Sequence, residues 1–115
     1  MDGGEGAEGG AGAIIPYVAY RVDYSPVTER HMRYLTRSQQ VTVLNRVGES
    51  LSFTPTEPTR HRKKMRPNSL APWELRIGAI RVFYDVVEPE KVVVVLAIGV
   101  KEHNVLRIAG EVIEL

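Results

Sequence analysis

The stretch WELRIGAIRVFYDV, residues 73 to 86, reads as a β-hairpin. Gly78-Ala79 fits a two-residue type II′ turn, which wants glycine first. The turn sets the register: Ile77 faces Ile80, Arg76 faces Arg81, Leu75 faces Val82, Glu74 faces Phe83 and Trp73 faces Tyr84. Facing pairs share a sheet side, so Trp73, Leu75, Ile77, Ile80, Val82 and Tyr84 form one apolar face that must pack on a core. The other face carries Glu74, Arg76, Arg81, Phe83 and Asp85. Two arginines therefore lie side by side on it. They either satisfy carboxylates such as Glu74 and Asp85, or they bind something negative.

Working outward, VVVVLAI at 92 to 98 follows a turn at VVEPEK and is apolar on both faces, so it is an interior strand covered on both sides. Upstream, YVAYRVDY at 17 to 24 alternates, with Val18, Tyr20, Val22 and Tyr24 on one side, as a half-buried strand does. Ser25 and Pro26 suit the start of a helix. Val27, His31, Tyr34 and Leu35 then recur at helical spacing. Ser38 is the candidate cap of a second helix, with Val41, Leu44, Val47 and Leu51 on one stripe. The pair would cover one sheet face. The other face needs VLRIAGEVIEL at the C-terminus or a separate partner. Residues 54 to 72 hold four prolines and read as a long loop. The expected class is α+β, in the order β-α-α-β-β-β plus a short tail, with an antiparallel-rich sheet and a helix pair on one face.

Residues 1 to 13 are rich in Gly, Ala and Glu and cannot bury enough apolar surface to order, so a disordered tail is expected there and a single domain over 14 to 115. The net charge of +1 hides an asymmetry: without that tail, 15 Lys and Arg stand against 11 Asp and Glu. RHRKKMR at 60 to 66 concentrates the excess in Arg60, Arg62, Lys63, Lys64 and Arg66. Such a run is either a solvated loop or a salt-sensitive contact to nucleic acid backbone. No run of 18 apolar residues exists, so no membrane span is expected. With no cysteine, disulfide and thiolate chemistry is excluded and a reducing compartment fits. His31, His61 and His103 lack metal-ligand spacing, and no glycine-rich phosphate loop follows a strand. Neither a metal nor a cofactor is expected.

LRIGAIRVFYDV with KVVVVLAIGVKE resembles the hairpin, hydrophobic strand and glycine-containing end of the RelE/ParE family of toxins from type II toxin–antitoxin systems, over roughly residues 17 to 108. The resemblance implies the same β-α-α-β-β-β order, a cytoplasmic protein, and an antitoxin that binds and silences it. It also implies one of two targets. RelE-like members cut mRNA in the ribosomal A site without a metal, the ribose 2′-hydroxyl attacking the adjacent phosphate. ParE-like members poison DNA gyrase. Any DNA contact would come through the antitoxin.

The RelE pattern carries over residue by residue. Arg81 matches the arginine of the second hairpin strand, and Lys101 the basic residue after the last strand. The two lysines entering the first hairpin strand fall on Pro72 and Glu74, and the C-terminal tyrosine falls near Arg107. Cations for the phosphate are kept, and the usual proton-transfer groups are not. Lys63, Lys64 or His61, and His103 beside Lys101, are the candidate replacements. A third reading follows from that loss: a degenerate toxin that only binds antitoxin. The expected site is thus Arg76, Arg81, Lys101 and His103, with Arg60, Arg62, Lys63, Lys64 and Arg66 on RNA. Tyr84 and Trp73 are expected in the core, and His31 as a packed side chain. An acidic, apolar antitoxin segment is expected across the face of Arg76, Arg81 and Phe83, or along the helix pair.

Overall fold

A strand that is apolar on both sides needs two covers, and the chain provides both. The computed structural model describes residues 19–115. The expected tail at 1 to 13 and the beginning of the strand expected from Tyr17 lie outside the described residues. The elements are β1 (Arg21–Tyr24), α1 (Val27–Met32), α2 (Arg37–Leu51), β2 (Arg62–Lys64), β3 (Trp73–Ile77), β4 (Ile80–Val87), β5 (Val92–Glu102), β6 (Val105–Ile108) and β7 (Glu111–Ile113). They make one sheet in the order β2-β3-β4-β5-β6-β7, with β1 on β5. β1 runs parallel to β5, from Arg21 opposite Val92 to Tyr24 opposite Val95, and the other pairs are antiparallel. The α+β class and the core order are those expected. Three short strands are additional: β2 lies in the stretch read as loop, and β6 and β7 in the stretch read as tail.

The β3–β4 register matches the sequence reading pair for pair, from Ile77 opposite Ile80 to Trp73 opposite Tyr84. Gly78 supplies the left-handed φ of +59° that its turn requires. On the helix side, Val43, Val47 and Leu51 of α2 pack with Leu75, Val82, Tyr84, Val95 and Ile98. Two details of the helices differ from expectation. The α2 cap is Thr36, not Ser38: its hydroxyl accepts from Gln39 N–H while the Gln39 side chain accepts from Thr36 N–H. The buried stripe is Val43, Val47 and Leu51, whereas Val41 and Leu44, expected on it, are about half exposed. Tyr84 is fully buried, stacks on Trp73 at 6.1 Å and donates its hydroxyl to the Pro55 carbonyl at 2.6 Å. Burial pushes its phenol pKa well up, so it stays neutral.

The opposite face is not open. Phe83 is fully buried in a second core with Ala71, Ala97, Leu106 and Ile108, closed by Met65 and Leu70. This corrects the expectation that Phe83 meets solvent or a partner. The C-terminal β6–β7 hairpin folds over that side, and the 65–71 segment completes the cover. Asn68 pins this segment, its side-chain oxygen accepting from Leu70 and Ala71 N–H and its amide donating to the Arg66 and Ala71 carbonyls. A register shift at Phe83/Tyr84 places both Leu96 and Ala97 in this second core. Gly99 is required at the crossing: an added Cβ would sit 2.5 Å from the Arg107 carbonyl oxygen.

β1 leaves β5 at Val95, and β6 joins it only at Val100. The backbone between them needs another partner. His31 provides one, its Nδ1 accepting from Ile98 N–H at 3.2 Å. Burial, with the Arg30 charge nearby, lowers the His31 pKa from its ordinary 6.5.

Two outcomes follow. Phe83→Ala is expected to destabilise the protein by about 3–5 kcal/mol, read as a lower urea midpoint; an unchanged midpoint would mean the second core is open in solution. For His31 the folded pKa lies below the unfolded one. The stabilisation is therefore complete above about pH 6.5 and is lost as pH falls from there towards the folded value. Thermal midpoints should drop between pH 7.5 and 5.5. His31→Asn, which can still accept from Ile98 N–H, should flatten that slope, and an equal slope in the variant would exclude His31 as the titrating group.

Candidate functional site

The hairpin and its flanking strands set a row of cations on the face that carries the second core. Glu74 and Arg76 of β3 alternate with the core residues Trp73, Leu75 and Ile77, so they point to the other side. Lys63 of β2 lies opposite Glu74 in the ladder. Lys101 of β5 lies opposite Leu106, a member of the second core, and so emerges beside it. Together these residues line a groove of about 700 Å³, with Arg66 and Lys64 on one wall and Leu115 closing an end.

Among the described residues Glu74 is the one carboxylate side chain lining this groove, and it is almost covered, its side chain 9% exposed. Arg76 Nε donates to Glu74 Oε1 at 3.1 Å. Arg81 Nε stands 4.0 Å from Oε2. These contacts to Arg76 and Arg81 fix the carboxylate in place. Sequence reasoning placed Glu74 on this face but gave it only an ion-pairing role. The signal was present in the register, which puts it between two arginines.

Arg81 differs from expectation in what it touches. Its side chain is 15% exposed, and Nη1 is committed to the carbonyls of Gly78 at 2.6 Å and Ile80 at 3.0 Å. Nε finds no hydrogen bond among the described residues. Burial lowers its pKa and Glu74 offsets part of that. In this arrangement Arg81 backs the Glu74 carboxylate from beneath, and Arg76 presents the guanidinium to the groove.

The basic run divides. Arg62 points to the helix side, where Nη1 donates to the carbonyls of Ser50 and Thr54 and to the Thr54 hydroxyl. Through these bonds it ties β2 to the end of α2, and its side chain also lines a depression beside Arg60 and Lys63. Lys64 lies with its ammonium 5.5 Å from the centre of the Trp73 ring. Arg60 lines a shallower depression with Arg62, Lys63, Lys64 and Arg76. His103 is not brought into the groove. It is exposed in the β5–β6 turn, where it and Asn104 adopt φ of 52° and 66°, as a tight hairpin turn demands. His61 is exposed too, and its carbonyl accepts from Arg76 N–H. Among the described residues no group of three His, Asp or Glu could hold a metal ion, and no helix is long and apolar enough to cross a membrane.

Neither a protein-family model nor a curated relative matches the sequence. Among solved structures, the chain is similar to a chain of the toxin–antitoxin complex RelBE2 from Mycobacterium tuberculosis, with a TM-score of 0.59 and 23% identity over 70% of this chain and 96% of that chain. At that identity the likeness is one of fold.

The division of the basic run is testable by stability. Arg62→Ala strands two carbonyls and should cost about 1–3 kcal/mol. Lys63→Ala, on the groove wall, should stay within about 0.5 kcal/mol of wild type. Chemical denaturation ranks the two, and the reverse ranking would return Arg62 to the groove.

Proposed function

We propose that this protein is a RelE-like toxin of a type II toxin–antitoxin pair, and that it stops translation by cutting mRNA in the ribosomal A site without a metal. The observation that carries the reading is Glu74. It is a sheltered carboxylate paired with Arg76 and backed by Arg81, in an open groove that Lys63 and Lys101 also line, on the fold of a chain from a toxin–antitoxin complex. RNA cleavage by its own 2′-hydroxyl needs a group that takes a proton and cations that receive the phosphate. In this reading Glu74 takes the 2′-hydroxyl proton as that oxygen attacks phosphorus. Arg76 and Lys101 neutralise the phosphate oxygens. The bond to the 5′-oxygen of the next nucleotide breaks, a lysine ammonium supplies its proton, and a cyclic phosphate remains. The work is done in the cytoplasm, on the ribosome.

An antitoxin is the expected partner. With Phe83 covered, apolar anchors for it are found on the helix pair, where Val27, Val41 and Leu44 are 50%, 50% and 52% exposed. An amphipathic antitoxin segment lies there, its acidic residues reaching the cations of the groove edge, and any contact to operator DNA is the antitoxin's own. One observation favours a second target. Pro72 and Glu74 stand where RelE-like members have lysines, which keeps a ParE-like action on DNA gyrase as the alternative.

Induced expression decides between them. Wild type should arrest growth, with mRNA ends mapping to the A site. Glu74→Gln should slow cleavage about 10²–10⁴-fold, as loss of a general base does, and Arg76→Ala should relieve the arrest. Intact mRNA with lost DNA supercoiling would give the gyrase reading. A folded wild type that is harmless would leave only an antitoxin-binding module.

A further inference from the structure

On the sheet side opposite the groove, a hollow of about 260 Å³ opens between the α1–α2 turn and the β6–β7 hairpin. Tyr34 lines it and is 56% exposed. The ring is held from two sides. Its edge rests against Gly110, where an added Cβ would come within 3.2 Å of Cε2, and the Arg30 guanidinium lies 5.7 Å from its centre. His31 lines the hollow, and because its Nδ1 accepts from Ile98 N–H, the ring proton of the neutral imidazole sits on Nε2 as a donor. Gln39 lines it too, with its oxygen committed to Thr36 N–H and its amide nitrogen left to donate. Arg107 completes the wall. Arg33 and Arg37 are exposed on the same turn. Two acids temper this charge: Glu102 at the hollow, and Glu29, which pairs with Arg33 at 3.9 Å.

An aromatic face beside guanidinium groups and neutral donors suits a planar, acceptor-rich ring attached to phosphates. The placement adds a second argument. Val100 and Lys101 are consecutive in β5, yet Val100 lines the hollow and Lys101 lines the groove. The two sites are opposite faces of one end of the sheet, separated by a single layer, and the exposed turn at His103–Asn104 lies between them. We infer that the hollow takes an unstacked base of the single-stranded RNA whose phosphates occupy the groove, with the strand passing over that turn. Tyr34 is the stacking platform, and Arg107, Gln39 and His31 meet the base edge. This rests on the reading of the groove as an RNA site and adds how the strand is gripped.

The test uses a fluorescent ten-nucleotide oligouridine and the same strand carrying abasic riboses, titrated with the full chain over a range of salt. Tyr34→Ala should weaken oligouridine binding about 5- to 100-fold, the worth of one base stacked on an aromatic ring. It should leave the salt slope and the binding of the abasic strand unchanged. Tyr34→Phe should restore affinity to within about two-fold, because the face is kept. Arg107→Gln should weaken oligouridine binding and leave the salt slope and the abasic strand unchanged, because it meets the base edge and not a phosphate. If Tyr34→Ala and Arg107→Gln bind as wild type while Lys101→Ala weakens binding, the hollow is no base site and the groove reading stands. Equal losses against polyglutamate would make the surface a site for acidic protein, overturning the proposal. A Tyr34-dependent affinity for RNA, together with toxicity indifferent to Glu74→Gln, would remove the cleavage reading and keep the base site. If wild type binds no RNA, both readings fail.

Discussion

Everything in this molecule is arranged around β5, a strand whose side chains are apolar in both directions. A strand of this kind is stable only when each face is sealed. Val93, Val95 and Ile98 are sealed by α2 and its neighbours, and Ala97 and Leu96 by Phe83, Leu106 and Ile108. The second seal has consequences for charge. Met65 belongs to it, while Lys63, Lys64 and Arg66 around it line the groove, and Lys101 emerges beside Leu106. The cations are therefore spaced by the packing of an apolar cluster. Glu74 and Arg81 are sheltered by the same arrangement, and their mutual attraction is stronger there than at an open surface.

The helices and the sheet meet through one unusual contact. A β5 longer than β1 leaves backbone between Val95 and Val100 without a strand neighbour on the edge away from β4, and His31 fills the gap. A side chain in place of a strand gives this part of the sheet a contact that a proton can break. It also explains why a histidine occupies a buried helix position that would otherwise suit leucine.

Much of this was legible in the sequence, because much of it is decided by short-range geometry. Gly78 fixes the hairpin, the hairpin fixes the register, and the register places Glu74, Arg76 and Arg81 on one face. The need for two covers over 92–98 was equally visible, though not which segment supplies the second. β6 and β7 escaped because their turns, His103-Asn104 and Ala109-Gly110, each place a non-glycine residue at positive φ, so only Asn104 and Gly110 marked them. The tie from Arg62 to Ser50 and Thr54 is not legible, because its acceptors are carbonyls, and carbonyls leave no mark in a sequence. Of the expected α2 stripe, Val47 and Leu51 are buried, but Val43 takes the place of Val41 and Leu44, because Val43 and Leu44 are adjacent and either continues the helical spacing from Val47. Arg81 was recognised as important, but its lodging against the turn carbonyls depends on side-chain conformation alone.

The parallel pairing of β1 with β5 reaches beyond the finished fold. Some seventy residues separate Arg21 from its neighbour Val92, so the first strand can find its place only after β5 has been made. Until then β1 has no strand to pair with. Closure of so long a loop comes late and slowly compared with the β3–β4 hairpin, whose partners are adjacent in sequence. A ribosome making this protein therefore releases its N-terminal half as waiting segments, and the groove, drawn from residues 63 to 101, comes into being only once β5 is synthesised and clear of the exit tunnel.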